Sequence, residues 1–373
     1  MKENLVILLR SLGVATVLTL LPVAAGNLAP NQVLISLSET GTPALATGGN
    51  QLADQKMMMP NPFTYNYVAA DSLSGENGNG DVYEIQLAGD PRKILEAVAA
   101  ALGVTGEISE PDYATQQYPA LMIGPQDGTG PSAVINWSGT GSWWFNNPSA
   151  YPIPACLDFV TAEDGSEYCG TYAEQKPTPN LLPSEAKMVS EAMKIFAATG
   201  HKVAAKEIET KVYEWGATAT TSLKIGGQDS PIEWSVNWGS NGEIGSVSGN
   251  SVVAVSRGNF PTISDKAAVS RMSDWRYSGQ LAQSIWAEHQ GNTAGPMMAI
   301  DDVASPEPTP STVTMTINKA IKTQVMIWDK AGKAWVVPGC ILFGDEGWIT
   351  PVFTLEDGIV ELPEPTDVSP MVK

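Results

Sequence analysis

Histidine is the side chain best suited to proton transfer near neutral pH, and the 373-residue sequence contains two, His201 and His289. His201 follows Gly200, the predicted end of a helix, where the helix dipole favours a positive charge. His289 lies in the segment WAEHQG, near another predicted helix end. Neither belongs to an HExxH motif or stands beside a candidate serine or cysteine nucleophile. We therefore expect both to cap helices or face solvent.

Adjacent acids are the next candidates for chemistry. They occur as Glu163 with Asp164, Asp301 with Asp302, and Asp345 with Glu346. All three pairs fall in predicted turns or linkers, and none shows the regular oxygen spacing of a calcium loop. The two acids of a glycosidase can be far apart in sequence, so a hydrolase remains a minor hypothesis. The sequence predicts no catalytic, cofactor-binding or metal-ligating residue.

The cysteines indicate a structural role in an oxidising compartment. Cys156 and Cys169 enclose the segment LDFVTAEDGSEY, a spacing that fits neither a CxxC redox motif nor paired zinc ligands. A disulfide between them would stabilise the fold by about 3 kcal/mol in the chain-entropy model. Cys340 lies in the apolar run WVVPGCILF, which predicts a buried, inert thiol.

Tryptophans are the candidates for ligand contact. Trp143 and Trp144 are adjacent on a predicted strand, so their side chains must point to opposite faces. Trp234 and Trp238 share one face of a second predicted strand. Packing in a core or between domains is the more ordinary role for such residues. The alternative is that Trp143 or Trp144, together with Trp234 or Trp238, stacks on a glycan or a partner.

A duplicated pattern organises the elements that would position these residues. Residues 123–137 (IGPQDGTGPSAVINW) resemble residues 225–238 (IGGQDSPIEWSVNW), and each segment predicts a β-hairpin. A helix precedes each hairpin, the first capped by Asp90 and the second by Ser184. The sequence therefore predicts an α+β fold of two repeated helix-over-antiparallel-sheet units, followed by a C-terminal antiparallel β meander.

Shifts in composition divide the chain further. The predicted parts are a signal peptide or membrane anchor (1–25), a flexible linker (26–80), the first repeat (81–150), a Pro-rich disulfide connector (151–182), the second repeat with a short third helix (183–290), a linker (291–311), the meander (312–356) and an acidic tail (357–373).

Charge and the N-terminal segment bear on location and partners. The net charge of −19 argues against nucleic-acid binding, which requires Lys and Arg patches. Lys2 and Arg10 accompany an uncharged run over residues 11–26, which includes a small-x-small Val-Ala-Ala site. Cleavage as a signal peptide and retention as a membrane anchor both remain open. We expect an extracytoplasmic protein, either secreted or anchored to the cell membrane.

Four segments carry a resemblance to a known group of proteins. They are ALGVTGEI at 101–108, WWFNNP at 143–148, PSEAKMV at 183–189 and IWDKAGKAWVVPGCILFGDEGWITPVF at 327–353. The chain resembles uncharacterised exported proteins of actinobacteria, which implies a surface location and a repeated α/β body but no known activity. The helix-plus-sheet unit also resembles PepSY and cystatin modules in its pattern alone.

Three functional hypotheses follow from the sequence. The first is a non-catalytic extracytoplasmic scaffold that binds a protein partner and uses no cofactor. The second is a glycan-binding or cell-wall-binding protein with exposed tryptophans as stacking platforms. The third is an extracytoplasmic enzyme such as a hydrolase.

Overall fold

The computed structural model describes residues 33–38, 63–162, 164–289, 311–344 and 349–365. The protein is mostly β, with 46% strand and 18% helix, and its several sheets include a curled half-barrel. Residues 1–25, for which the sequence predicts a signal peptide or anchor, lie outside this described part. No helix within the described ranges combines the length and the apolar character that a bilayer crossing requires.

Strands outnumber helices in the described ranges. In chain order, the strands are β1 (Ile35–Ser36), β2 (Phe63–Ala69), β3 (Gly78–Leu87), β4 (Ala120–Ile123), β5 (Ser132–Asn136), β6 (Trp143–Asn146), β7 (Cys156–Thr161), β8 (Glu167–Tyr172), β9 (Glu209–Tyr213), β10 (Gly216–Ile225), β11 (Gln228–Trp238), β12 (Ile244–Gly249), β13 (Val252–Thr262), β14 (Ser311–Trp328), β15 (Ala334–Gly344), β16 (Ile349–Phe353) and β17 (Val360–Glu361). The α-helices are α1 (Pro91–Leu102), α2 (Glu185–Ala198), α3 (Asp265–Ala268) and α4 (Gln283–His289).

The larger sheet has seven strands in the order β4-β5-β6-β12-β11-β10-β9, and each neighbouring pair is antiparallel. The two similar sequence segments form the β4–β5 and β10–β11 hairpins. The second hairpin turns through Gly226 and Gly227, which both have positive φ, as a tight two-residue hairpin turn requires. The first has a longer connection between Ile123 and Ser132.

One face of this sheet is covered by the two longer helices. Helix α1 packs on β4 and β5, and α2 packs on β9, β10 and β11. Asp90 caps α1 by accepting the backbone N–H of Lys93, and Pro91 occupies the first turn. The helices bury Leu95 and Phe196 against the sheet's apolar side chains.

The second sheet has the order β13-β3-β15-β14-β2, with β16 paired to β15. Strands β14 and β15 form an antiparallel hairpin within the predicted meander, and β14 also runs parallel to β2. The carboxylate of Glu84 on β3 is buried and binds both Arg257 of β13 and Lys333 near the start of β15. These two cations hold the pKa of Glu84 below its usual value despite its burial.

The remaining pairs are small. Strand β1 pairs in parallel with β17, and β7 pairs antiparallel with β8 as a separate two-stranded sheet. The predicted disulfide between Cys156 and Cys169 is present in this hairpin. Residues 63–69, which the sequence placed in a flexible linker, form strand β2 because β14 offers an edge with which they pair.

The predicted α+β fold of two helix-over-sheet repeats followed by a separate meander is wrong. The two similar hairpins belong to one sheet, because β6 pairs directly with β12. Strand β3 of the predicted first unit and the strands of the predicted meander lie together in the second sheet. A hairpin strand with an unpaired edge can pair with a strand of another hairpin. The local sequence pattern of a hairpin does not specify which distant strand that will be.

Candidate ligand-binding face

The four candidate tryptophans have different environments. Trp143, Trp234 and Trp238 are at most 2% exposed and lie in the apolar core beneath the helices. Trp144 is 36% exposed, on the opposite side of β6 from Trp143. The predicted opposition of the two adjacent tryptophans is therefore confirmed. Only Trp144 of the four is available to contact a ligand.

Trp144 belongs to the face of the seven-stranded sheet that the helices leave open. Directly paired residues on neighbouring strands point to the same side of a sheet. Pairing from strand to strand therefore places Trp144 in a row of side chains that crosses six strands. This first row is Val134, Trp144, Ser248, Ser235, Thr220 and Glu209. Apart from its two ends, the row consists of an indole and three hydroxyl side chains.

A second row runs beside the first, two residues along each strand. Its members are Ser132, Asn146, Ser246, Asn237, Thr218 and Lys211. Five of these six side chains are uncharged hydroxyls or amides, each able to donate and accept hydrogen bonds. We call the two rows together the polar face.

Hydrogen bonds within the polar face fix part of its geometry. The hydroxyls of Ser235 and Ser248 are 2.9 Å apart, and the amide nitrogen of Asn237 donates to the hydroxyl of Ser246 at 3.1 Å. These contacts join β11 to β12 through their side chains as well as their backbones. Side chains held in this way are oriented before a ligand arrives, which reduces the entropy lost on binding.

Two hollows lie along the polar face. One has a volume of about 800 Å³, and its lining includes Trp144, Asn146, Ser248, Gln280 and Trp328. The other has a volume of about 460 Å³ and extends over the outer strands, where its lining includes Thr218, Thr220, Asn237 and Lys211. Both volumes are in the range of small-molecule sites, and an extended ligand could occupy both hollows.

Glu233 lines both hollows. Its Oε1 atom accepts the backbone N–H of Gln283 at 2.6 Å, and the N–H of Ser284 also bonds the carboxylate. Burial raises the pKa of Glu233 to about 7, with a smaller contribution from Asp229 in the same direction and opposition from the two N–H bonds. Glu233 therefore holds the first turn of α4 and can also donate a proton near neutral pH.

His201 does not line the polar face. His201 is half-buried, with its ring parallel to that of Trp234 on the helix side of the sheet. Burial lowers its pKa, which favours the neutral ring, so the expected cationic or solvent-exposed side chain is wrong. The backbone N–H of His201 does cap α2, because it donates to the carbonyl of Phe196 at 2.9 Å. His289 is the last residue of α4.

The other chemically active residues predicted from the sequence lie elsewhere. Cys340 is fully buried and burial raises its pKa to about 12, which confirms the expected inert thiol. The acids Glu163, Asp301, Asp302, Asp345 and Glu346 lie outside the described residues. Within the described ranges, no three His, Cys, Asp or Glu residues are close enough to hold a metal ion.

Comparisons with known proteins add no family assignment. No protein-family model matches this chain, and no curated protein matches it. The resemblance to exported actinobacterial proteins stays a prediction.

Sequence reasoning found Trp144 but missed the rows around it. The signal was the period-two alternation of small polar and apolar residues, as in Ala217-Thr218-Ala219-Thr220 of β10 and Ser246-Val247-Ser248 of β12. Alternation of this kind indicates a strand with one polar face. Which strands place those faces side by side depends on the pairing of β6 with β12, more than 90 residues apart.

Proposed function

We propose that this protein is an extracytoplasmic binding protein that recognises a neutral glycan on the polar face of its seven-stranded sheet. The observation that carries the proposal is the position of Trp144. This indole is 36% exposed. Hydroxyl and amide side chains of β5, β6 and β12 lie beside it in the two rows, namely Ser132, Asn146, Ser246 and Ser248. The proposal selects the second of the three sequence hypotheses and replaces its four candidate tryptophans with one.

The chemistry of the face suits a sugar. The apolar C–H side of a pyranose ring can pack on an indole, while the ring hydroxyls need partners that both donate and accept. Asn146, Ser246 and Ser248 provide such partners beside Trp144. Although the whole chain carries a net charge of −19, Glu233 is the only acidic or basic residue of the described ranges that lines the hollow beside Trp144, which favours a neutral ligand there. The outer hollow is lined by both Lys and acidic side chains, so the ligand contact is assigned to the hollow beside Trp144.

The compartment is part of the proposal. The disulfide between Cys156 and Cys169 supports an oxidising environment, which fits a location outside the cytoplasm. The charged and apolar pattern of residues 1–25 supports export, followed by cleavage or by anchoring to the membrane. Cell-wall glycans would be accessible from either location.

The test uses two neutral oligosaccharides, the β-1,4-linked tetramers of glucose and of N-acetylglucosamine, titrated against the purified protein by calorimetry. We expect at least one of them to bind with a dissociation constant of about 1 mM or tighter. Trp144→Ala should weaken that affinity at least about tenfold, because the stacking surface is removed. Asn146→Ala should weaken it by about threefold or more, since it removes hydrogen bonds to the ligand.

The matched control is Trp215→Ala. Trp215 is 44% exposed, between β9 and β10, and lines neither hollow. This variant should bind as the unmodified protein does, with the same unfolding midpoint. The proposal would be rejected by two tetramers that fail to bind, or by a Trp144→Ala protein with unchanged affinity.

A further inference from the structure

The β7–β8 hairpin projects from the body as an arm, and we call residues 152–177 the stapled arm. At its base, the ring of Tyr151 lies against Gly245 of β12, and the hydroxyl of Thr178 donates to the carbonyl of Ser240. Between these two anchors, the hydrogen bonds of the arm's described residues join partners within the arm itself. The arm is therefore held at its base and is otherwise self-contained.

The stapled arm exposes many large apolar side chains. Ile153 is 85% exposed, and Leu157 and Phe159 are 67% and 66% exposed. Other exposed members are Val160, Tyr168 and Tyr172. In the described part of the chain, buried side chains form three apolar clusters, and none of these exposed side chains belongs to them. Single exposed apolar residues are ordinary, but a contiguous group of this kind marks an interaction site.

The exposed side chains lie on both faces of the arm. Val160 is directly opposite Tyr168, and Phe159 is directly opposite Cys169. Because adjacent residues on a strand point to opposite sides, Phe159 and Val160 occupy different faces. A flat surface could cover only one of these faces, whereas a cleft could cover both.

The arm is stiff before it meets a partner. The Cys156–Cys169 disulfide joins its two strands. At its tip, the Oδ1 atom of Asp164 accepts both the backbone N–H and the hydroxyl of Ser166, at 2.9 Å and 2.7 Å. A hairpin ordered in this way loses little conformational entropy when it inserts, so its aromatic residues can serve as anchors.

The negative charge of the arm limits which kinds of partner could bind it. The arm includes the exposed acids Asp158, Asp164, Glu167 and Glu174, and Lys176 is the single basic residue in its sequence. An anionic lipid surface or a second copy of this acidic chain would be repelled. The chain's own segment 290–310 carries three acids and no Lys or Arg, so it is also poorly suited to cover the arm.

We propose that the stapled arm inserts into an apolar cleft of a partner protein whose rim carries Lys or Arg side chains. The aromatic residues of the arm enter the cleft, and its acids meet the basic rim. This surface is separate from the polar face, so it gives the protein a second binding function. The arm is thus a specific docking element for the scaffold predicted from the sequence, and its partner is a protein with an apolar cleft and a basic rim.

The test uses a defined probe, a fluorescent pair of covalently linked synthetic leucine-and-lysine helices whose leucine faces enclose an apolar cleft edged by lysines. Binding to the full chain is measured by anisotropy at several salt concentrations. We expect the double variant Phe159→Ser with Tyr168→Ser to bind at least about tenfold more weakly, although its charge and its disulfide are unchanged. Asp158→Asn with Glu167→Gln should also bind more weakly and show a shallower dependence on salt.

The matched control is Val212→Ser with Tyr213→Ser, two exposed apolar residues of β9. It should bind the probe within about twofold of the unmodified protein. The glycan affinity of the arm variant should also be unchanged, which separates this inference from the proposed function.

Three results would overturn the proposal. The first is equal affinity of the arm variant and the control variant, since the probe would then be held by overall charge alone. The second is arm-dependent binding of the protein to neutral or anionic lipid vesicles in place of the probe. The third is an arm-dependent dimer in sedimentation experiments.

Discussion

His201 and Trp234 stack face to face, with ring centroids 3.7 Å apart and ring planes only 4° from parallel. The imidazole comes from the segment after α2, and the indole comes from the core side of β11. The stacked pair therefore connects the C-terminal end of α2 to strand β11 of the seven-stranded sheet. Burial lowers the pKa of His201, which keeps the stacked ring neutral at ordinary pH.

Replacement of His201 tests how much the stacked pair contributes to stability. His201→Ala removes the stacked ring and leaves a gap over Trp234, so we expect a loss of about 1 to 2 kcal/mol in the free energy of unfolding. His201→Phe keeps an aromatic ring at the position and should lose less. Urea denaturation of both variants measures the difference. Equal losses would show that an aromatic ring at this position adds nothing to stability, which would contradict the prediction.

The same pair predicts a stability change on the acid side of neutrality. The ordinary pKa of 6.5 applies to His201 in the unfolded chain, and the folded value is lower. The unfolded state therefore binds a proton first as the pH falls, so the contribution of His201 is intact above pH 6.5 and declines below it. His201→Phe should lack this part of the pH dependence, which a series of denaturation curves would measure.

Gly249 lies where the side chains of two core tryptophans converge. A Cβ atom at this position would overlap the indoles of both Trp143 and Trp234. Gly249→Ala should therefore force the rings apart and cost about 1 to 3 kcal/mol. Gly75→Ala is the matched control, because no atom lies within 4 Å of the Cβ position there. A thermal midpoint that falls no further for Gly249→Ala than for this control would contradict the prediction.

Glu233 gives a second pH dependence of stability, opposite in direction to that of His201. Its pKa of about 7 in the folded protein exceeds the ordinary value of 4.5, chiefly because of burial. Between these values the folded state keeps a proton that the unfolded state has released, so stability falls as the pH rises through this window. The decline is on the order of 3 kcal/mol by about pH 8. Glu233→Gln, which cannot ionise, should flatten this slope in denaturation experiments from about pH 5 to about pH 8.

Local features of this fold could be predicted from the sequence, and long-range features could not. Asp90 and Pro91 determine where α1 begins through hydrogen bonding and backbone geometry within one turn. The opposed sides of Trp143 and Trp144 follow from strand geometry alone. Such features depend on residues that are neighbours in the chain.

The pairing of β6 with β12 and of β14 with β2 depends on residues far apart in sequence. Hairpin patterns specify each strand's own neighbour but leave its second edge open. The polar face was missed for this reason, because its rows exist only when strands from separately predicted hairpins join in one sheet. His201 was misassigned because its stacking partner is more than 30 residues away in the chain.

The disulfide provides a final prediction that follows from the independence of the stapled arm. From loop length alone, its loss would cost about 3 kcal/mol. Because the described residues of the arm hydrogen-bond within the arm, unfolding of the arm need not unfold the body. We therefore expect Cys156→Ser with Cys169→Ser to shift the main thermal midpoint by less than about 2 °C.

Chymotrypsin should cleave the variant after Phe159 or Tyr168 at least about tenfold faster, because the unstapled hairpin opens more often. Mass spectrometry of the fragments would place the cuts. A large fall in the main midpoint would instead mean that the arm and the body unfold together, and the arm would then be part of the body's cooperative structure.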